Sequence, residues 1–143
     1  MTESYRKPGI LWRRDPRMGS DALPLVFDTP HSGVDNPADF GFVCDPLTIV
    51  RGADLYVDEL YADAPRHGAT MIGAEFPRAY IDTNREETDI YHPILEAPHG
   101  DTPPRPGLKP WNGLVRSRNW RNGADFYERK LSLDEVQGRI ATY

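Results

Sequence analysis

A histidine that could do chemistry lies at the end of an apolar run. His31 stands in the sequence Pro-His-Ser-Gly, which directly follows the run of strand-forming residues at 23–28. Pro30 stiffens the approach to the histidine, and Gly33 permits a tight turn close to a bound species. Such a histidine can serve as a metal ligand or as a general base. A loop histidine that only caps a turn has the same sequence, so the motif leaves both interpretations open.

Two aspartates form the second candidate group. Asp54 and Asp58 are four residues apart in a segment with helical spacing, which predicts that both carboxylates project from one helix face. Two like charges at this spacing are mildly destabilising unless a metal ion, an arginine or the histidine lies nearby. Asp54 also stands near the predicted helix N-terminus, where the helix dipole favours a carboxylate. The pair predicts either an acidic metal site or a capping residue followed by a solvent-facing one.

The third group could bind a carboxylate. Arg78 begins the sequence Arg-Ala-Tyr-Ile-Asp-Thr-Asn-Arg, in which Asp82, Asn84 and Arg85 form a polar cluster at the end of a predicted strand. The planar fork of an arginine can hold a carboxylate at two points, and an asparagine adds an orienting donor. The alternative is structural: an Asp82–Arg85 pair within a turn would explain the same residues.

The elements that must position these groups alternate along the chain. The pattern predicts a strand at 23–28, a helix at 53–67 that Gly68 ends, a buried strand at 69–74 and a short strand at 79–82. Strand, helix, strand and strand in this order predict a layered α/β fold with some parallel pairing. The three candidate groups would then gather at the ends of the strands, where α/β enzymes place functional side chains.

The flanking segments are less regular. Residues 1–22 are predicted to be an irregular N-terminal arm, and residues 23–143 the domain. Six of the fourteen prolines lie between 92 and 110, which predicts a long loop. Residues 112–120 are a further candidate strand. Ser132 and Glu135 form a capping-box signature, which predicts a helix over the last residues of the chain.

Composition excludes several classes of protein. The chain has 143 residues and a net charge of −5, and its basic and acidic residues are interleaved, which argues against a nucleic-acid partner. No run of residues is long and apolar enough to be a leader or a membrane span, so a cytoplasmic location is expected. Cys44 is the single cysteine, and it is interpreted as an apolar packing residue; one thiol excludes an internal disulfide and a multi-cysteine zinc site.

The three groups together resemble the N-formylglutamate amidohydrolase family. In that family a strand leads into Pro-His-Ser-Gly or Pro-His-Ala-Gly, a helix of the form D-x-x-x-D-x-L-Y follows, and R-x-x-x-D-x-N-R comes after a Gly-Ala strand. The resemblance covers about residues 24–143 and is most specific in its middle third. The matching positions are Pro30, His31, Ser32, Gly33, Asp54, Asp58, Leu60, Tyr61, Gly68, Ala69, Arg78, Asp82, Asn84 and Arg85.

The resemblance implies a fold and a site. The family is similar to zinc carboxypeptidases and aspartoacylases, with a three-layer α/β/α phosphorylase/hydrolase-like fold around a mixed sheet. It implies a Zn²⁺ ion held by His31 and by Asp54 or Asp58, and substrate carboxylates held by Asn84 and Arg85, together with Arg78. The implied reaction is zinc-dependent hydrolysis of the amide bond of an N-formyl or N-acyl acidic amino acid, with N-formyl-L-glutamate as the example.

The chain also departs from the family. Family members are longer, and their second half carries a further zinc-ligand histidine and the general base, so the fold and the site are expected to be incomplete on the C-terminal side. His67, at a predicted helix end, and His92 and His99, in the proline-rich loop, are not expected to replace that ligand. Two further hypotheses follow: a non-catalytic domain that binds carboxylate-bearing small molecules, or one half of a two-chain hydrolase. An exposed sheet edge or apolar patch would also favour a homo-oligomer.

Overall fold

The centre of the molecule is a four-stranded mixed sheet. In this computed structural model, which describes residues 4–17, 19, 21–97, 103 and 105–143, the strands are β1 (Tyr5–Lys7), β2 (Leu11–Arg14), β3 (Val26–Thr29) and β4 (Thr70–Ala74). Their order across the sheet is β1-β2-β4-β3. β3 runs parallel to β4, whereas β2 pairs antiparallel with both β1 and β4. The expected α/β class and parallel pairing are thus confirmed.

The N-terminal segment was predicted to be an irregular arm, and this is wrong. β1 and β2 form a hairpin that extends the sheet beyond β4. Gly9 occupies the hairpin turn with φ 74° and donates its backbone N–H to the Glu75 carboxylate at 2.7 Å. Arg6 donates to the same carboxylate. The polar residues of this segment therefore attach the hairpin to the end of β4, a tertiary contact that local sequence does not reveal.

The predicted helix over 53–67 does not form as one element. Tyr56 adopts a left-handed backbone conformation, with φ 64°, so that α2 covers only Val57–Leu60. A 3₁₀ turn follows at Ala64–His67 and ends at Gly68, whose φ is 89°, as the C-terminal stop predicts. The helix is interrupted because the backbone around Asp54 bonds elsewhere: its N–H donates to the His31 carbonyl at 2.9 Å, and its carbonyl accepts from the Ser32 hydroxyl at 3.0 Å.

Of the other predicted elements, two are confirmed and two are wrong. The buried strand at 69–74 is confirmed as β4, and the C-terminal helix is confirmed as α3 (Leu133–Thr142) with the full Ser132–Glu135 capping box. The predicted strands at 79–82 and 112–120 are wrong: within the described residues these segments are turns and extended loops, with an isolated bridge between Arg118 and Asp125. The additional short helix α1 covers Pro46–Val50.

Most of the core lies beside the sheet and is built by loops and α3. Phe76, Tyr80, Ile90, Val115 and Leu131 are each at most 2% exposed. Within α3, Arg139 is 2% exposed and donates to the Tyr80 carbonyl at 3.0 Å and to the Tyr127 hydroxyl at 2.9 Å. Irregular segments can form this core because their backbone groups are bonded across loops, as in the bond from the Asp82 N–H to the Leu114 carbonyl at 2.7 Å. Across the described residues, every helix is too short or too polar to cross a membrane.

Candidate active site

The site lies at the carboxyl end of β3. β3 ends at Thr29, and Pro30, His31 and Ser32 follow at once. Gly33 is required there, because a β-carbon would lie 2.4 Å from the Glu75 carbonyl carbon and 2.5 Å from the Phe76 oxygen. The chain can therefore turn from β3 against the end of β4 only with glycine at this position. This turn brings His31 towards residues 76–82, fifty residues further along the sequence.

A buried aspartate orients His31. The Nε2 atom of His31 lies 2.7 Å from Oδ1 of Asp82, which is 0% exposed. Burial by itself would raise the pKa of Asp82, but the hydrogen bond from His31 and the charges of His31 and Arg78 outweigh it, so that the pKa lies well below its usual range. Asp82 is therefore an ionised acceptor, which makes Nε2 the ring nitrogen that carries the hydrogen.

The other ring nitrogen faces a second carboxylate. Nδ1 of His31 lies 3.2 Å from Oδ2 of Asp54, and the Asp54 side chain is 53% exposed. Arg78 contacts both carboxylates: its Nη1 lies 3.4 Å from Asp54, and its Nη2 lies 2.9 Å from Asp82. His31, Asp54 and Arg78, which were predicted from three separate motifs, are thus brought together around Asp82.

A residue that the sequence did not single out completes the cluster. Arg116, whose side chain is 11% exposed, donates from Nη2 to Asp82 at 2.9 Å, and its buried Nε has no hydrogen-bond partner among the described residues. Burial lowers the pKa of Arg116, and the like charges of Arg78 and Arg85 act in the same direction. The one signal available in the sequence was that Arg116 directly follows the apolar residues Leu114 and Val115 within the candidate strand at 112–120.

An open cleft borders this cluster. It has a volume of about 370 Å³, and Asp28, Thr29, Pro30, His31, Ser32, Asp54, Val57 and Asn84 line it. Asn84 is exposed at the cleft and donates its backbone N–H to Asp82 Oδ1 at 3.1 Å. Arg85 is exposed beside it and acts electrostatically on Arg116. Asp58 lies on α2, half-buried, and does not share a helix with Asp54.

The remaining predicted residues lie elsewhere or are not described. His67 ends the 3₁₀ turn that precedes β4, and His92 begins another at His92–Ile94. His99 lies outside the described residues. Cys44 packs half-buried against the core, as predicted. Within the described part of the chain, no group of three histidine, cysteine or acidic side chains is arranged to hold a metal ion.

Fold and site define a class: a mixed α/β domain with a histidine–carboxylate–arginine cluster at the end of a parallel strand pair. A sequence model of the N-formylglutamate amidohydrolase family matches residues 23–143. The crystal structure of N-formylglutamate amidohydrolase from Ralstonia eutropha JMP134 at 2.00 Å resolution matches this chain with a TM-score of 0.81 and 44% sequence identity. No curated protein sequence is similar enough to count as a match. The chain belongs to the N-formylglutamate amidohydrolase family.

The match is unequal in length. It covers 94% of this chain and 46% of the Ralstonia eutropha chain, so this chain spans just under half the length of that relative.

Proposed function

We propose that this chain provides the metal-ligand and carboxylate-binding side of a hydrolase site that cleaves the amide bond of N-formyl or N-acyl acidic amino acids, such as N-formyl-L-glutamate. The observation that carries the proposal is the convergence of His31, Asp54 and Arg78 around buried Asp82 beside an open cleft. Family membership supports the reaction class.

The distance between His31 and Asp54 fits two ligands of a zinc ion. When His31 is neutral, its proton is on Nε2, and Nδ1 presents a lone pair to the Asp54 carboxylate 3.2 Å away. Two atoms that each present a lone pair at this distance repel one another, and a cation bound to both would stabilise the arrangement. In a tetrahedral zinc site with bonds of about 2.0–2.1 Å, ligand atoms are about 3.3 Å apart. These contacts favour Asp54 over Asp58 as the acidic ligand.

Asp82 would act on the site through His31. It fixes the ring orientation and the tautomer, as carboxylates next to ligand histidines commonly do. Arg78 and Arg116 in turn hold Asp82 in its ionised form. A zinc ion bound here would polarise the amide carbonyl and lower the pKa of bound water.

The arginines at the cluster can bind an anionic substrate group. Arg78 and Arg116 both contact Asp82, and Arg85 acts electrostatically on Arg116, while the acidic side chains at the site are Asp54, Asp82 and Asp28. The exposed side chain of Asn84 lines the cleft, and Arg85, the next residue in the chain, is also exposed. We propose that Asn84 and Arg85 bind a substrate carboxylate, while Arg78, already in contact with two carboxylates, orients the reacting end.

We also propose that the mixed sheet is part of a three-layer α/β/α phosphorylase/hydrolase-like fold. The connection from β3 to β4, which contains α1 and α2, supports one helical layer. The hydrophobic side chains of Val26, Leu11 and Ile72 point to the other face of the sheet and are at least partly exposed, as expected if a further layer covers that face.

Zinc content per chain tests the metal part of the proposal. The purified chain is dialysed against a small excess of zinc, and bound metal is measured by mass spectrometry for the parent, His31→Ala and His67→Ala. His67→Ala, the control variant, should bind as much zinc as the parent, and His31→Ala should lose most of the zinc. Equal zinc in all three proteins, or none in the parent, would reject His31 as a ligand in this chain.

Calorimetric titration with N-formyl-L-glutamate tests the carboxylate part. Arg85→Gln should weaken binding about tenfold or more, because a charge-assisted hydrogen bond is lost. Arg121→Gln, which removes an exposed arginine from a separate turn, should bind like the parent.

Binding without turnover would favour the second candidate function, a carboxylate-binding domain. That candidate is supported because the described residues bring together two candidate zinc ligands, whereas a catalytic zinc site usually has three.

A further inference from the structure

The last helix of the chain contacts the segment that carries the site through a buried arginine. Arg139 lies on α3 and is 2% exposed. Its Nη1 atom donates to the Tyr80 carbonyl oxygen at 3.0 Å and to the Tyr127 hydroxyl at 2.9 Å. Its guanidinium carbon lies 4.1 Å from the centroid of the Tyr80 ring, which is within the range of a cation–π contact. Arg139 therefore holds Tyr80 both by its backbone and by its ring.

No carboxylate compensates the charge of this arginine. Within the part of the chain that the structure describes, Arg139 forms no ion pair, and its buried Nε atom has no hydrogen-bond partner. A buried charge without a counter-ion is unfavourable, and an apolar side chain of similar length would fill the same space at a lower cost in free energy. What the arginine adds over such a side chain is its hydrogen bonds, one of which fixes a backbone carbonyl.

That carbonyl stands between two residues of the site. Arg78 precedes Tyr80 by two residues and Asp82 follows it by two, and these two side chains form an ion pair at the centre of the cluster. The Tyr80 side chain is 1% exposed and donates its hydroxyl to Asp39 at 2.7 Å. Burial and this hydrogen bond raise the pKa of Tyr80 well above its usual range, so that the hydroxyl remains a donor. Tyr80 is thus fixed at its carbonyl, its ring and its hydroxyl.

The segment 77–82 lies outside every helix and strand. Its backbone is held by separate hydrogen bonds, from the Tyr80 N–H to the Pro77 carbonyl at 2.9 Å and from the Asp82 N–H to the Leu114 carbonyl at 2.7 Å. A segment without a ladder of backbone bonds depends on such individual contacts for its conformation. The bond from α3 to the Tyr80 carbonyl is therefore one of the few that determine where Asp82 lies.

We propose that Arg139 is a positioning residue of the site, which sets the place of the Asp82 carboxylate through Tyr80. That carboxylate lies 2.7 Å from the His31 ring and accepts the backbone N–H of Asn84 at 3.1 Å. Loss of the bond from Arg139 lets the Tyr80 peptide rotate and weakens both contacts of the carboxylate. The consequence for zinc binding rests on the proposed function, in which Asp82 orients His31 as a metal ligand.

Hydrogen exchange of the Asn84 backbone amide, measured by NMR on the metal-free chain, reports whether Asp82 is held in place. Arg139→Met removes the charge and the donors at a similar side-chain length. It should speed this exchange by about tenfold or more, as expected when a charge-assisted hydrogen bond is lost. Arg139→Lys keeps a charged donor and should restore most of the protection. If Arg139→Met does not fold, Arg139→Gln, whose shorter amide does not reach the Tyr80 carbonyl, gives the same comparison.

Val136→Ala separates positioning from a general loss of stability. Val136 lies on the same helix and is 0% exposed, so that this variant loses packing and keeps the bond to Tyr80. The amides of β4 report global unfolding and should exchange faster in both Val136→Ala and Arg139→Met. The Asn84 amide should exchange faster only in Arg139→Met. Equal Asn84 rates in the parent and Arg139→Met, an equal acceleration in Val136→Ala, or an unprotected Asn84 amide in the parent would each overturn the proposal.

Zinc affinity provides a second measurement, which depends on the proposed function. Arg139→Met should bind zinc about tenfold more weakly than the parent, because outer partners of a ligand histidine have effects of this size. Val136→Ala should bind zinc like the parent. Faster Asn84 exchange with unchanged zinc binding would leave the positioning role standing and count against His31 as a ligand. A parent chain that binds no zinc would reject the metal site, while the exchange rates would still decide the role of Arg139.

Discussion

Replacing Asp82 by asparagine removes the central charge of the site with almost no change in volume. The Asp82 carboxylate is 0% exposed and accepts hydrogen bonds from His31, Arg78, Arg116 and the backbone N–H of Asn84. Asparagine keeps one acceptor oxygen and places a donor N–H₂ group where a guanidinium now donates. Arg78 and Arg116, with side chains 16% and 11% exposed, would then share a poorly solvated region without their counter-ion.

The expected cost follows from that uncompensated charge. Breaking a buried ion pair by removing one partner lowers the free energy of unfolding by about 3–5 kcal/mol. A domain of this size has a total stability of about 5–15 kcal/mol, so Asp82→Asn should lower the melting temperature by about 10–20 °C. Adding Arg116→Met to Asp82→Asn removes one of the two arginine charges that have lost their counter-ion. The double variant should therefore be at least about 1 kcal/mol more stable than the sum of the two single effects predicts.

Urea unfolding followed by circular dichroism measures these differences for the parent and the three variants. The pKa of Asp82 lies below its usual range in the folded chain. Its stabilisation is therefore fully present above the unfolded pKa of about 3.9 and is lost as the pH falls towards the folded pKa. The difference in the free energy of unfolding between the parent and Asp82→Asn should be largest near pH 7 and should become smaller below about pH 4. A loss under about 1 kcal/mol at pH 7, or strictly additive effects with Arg116→Met, would refute the reasoning.

Three further predictions concern the scaffold around the site. Gly33→Ala should destabilise the chain by more than about 2 kcal/mol in urea unfolding, because the new methyl group would meet backbone atoms at 2.4–2.5 Å; a neutral effect would show that this turn can relax. Ser132→Ala should cost about 1 kcal/mol in the same measurement, because it removes the bond to the Glu135 N–H, and an unchanged midpoint would contradict the role of the cap. The hydrogen bond from Arg6 lowers the pKa of Glu75, so Glu75→Gln should be less stable than the parent at pH 7 and should converge with it below about pH 4.3; a constant difference across that range would count against this contact.

Local signals in the sequence were sufficient for some elements and not for others. β4 and α3 were predicted because their patterns are complete within a few residues: a short apolar run in one case, and a capping box before an amphipathic repeat in the other. The predicted helix over 53–67 is wrong although its apolar residues do have helical spacing. The Asp54 N–H donates to the His31 carbonyl and the Asp54 carbonyl accepts from the Ser32 hydroxyl, and these tertiary hydrogen bonds replace helical ones. The β1–β2 hairpin was missed because Glu75, to which its turn is attached, lies sixty-six residues from Gly9.

The sequence by itself determined the family and most of the side chains of the candidate site, because His31, Asp54, Arg78 and Asn84 stand in short motifs with restricted residue types. Only the tertiary structure decided how they meet. Asp82 becomes the centre of the cluster because the turn at Gly33 brings His31 to it from 51 residues earlier in the chain, and the loop carrying Arg116 reaches it from 34 residues later. That convergence depends on burial and on contacts between residues far apart in sequence, and these set which carboxylate is ionised and which nitrogen of His31 faces the cleft.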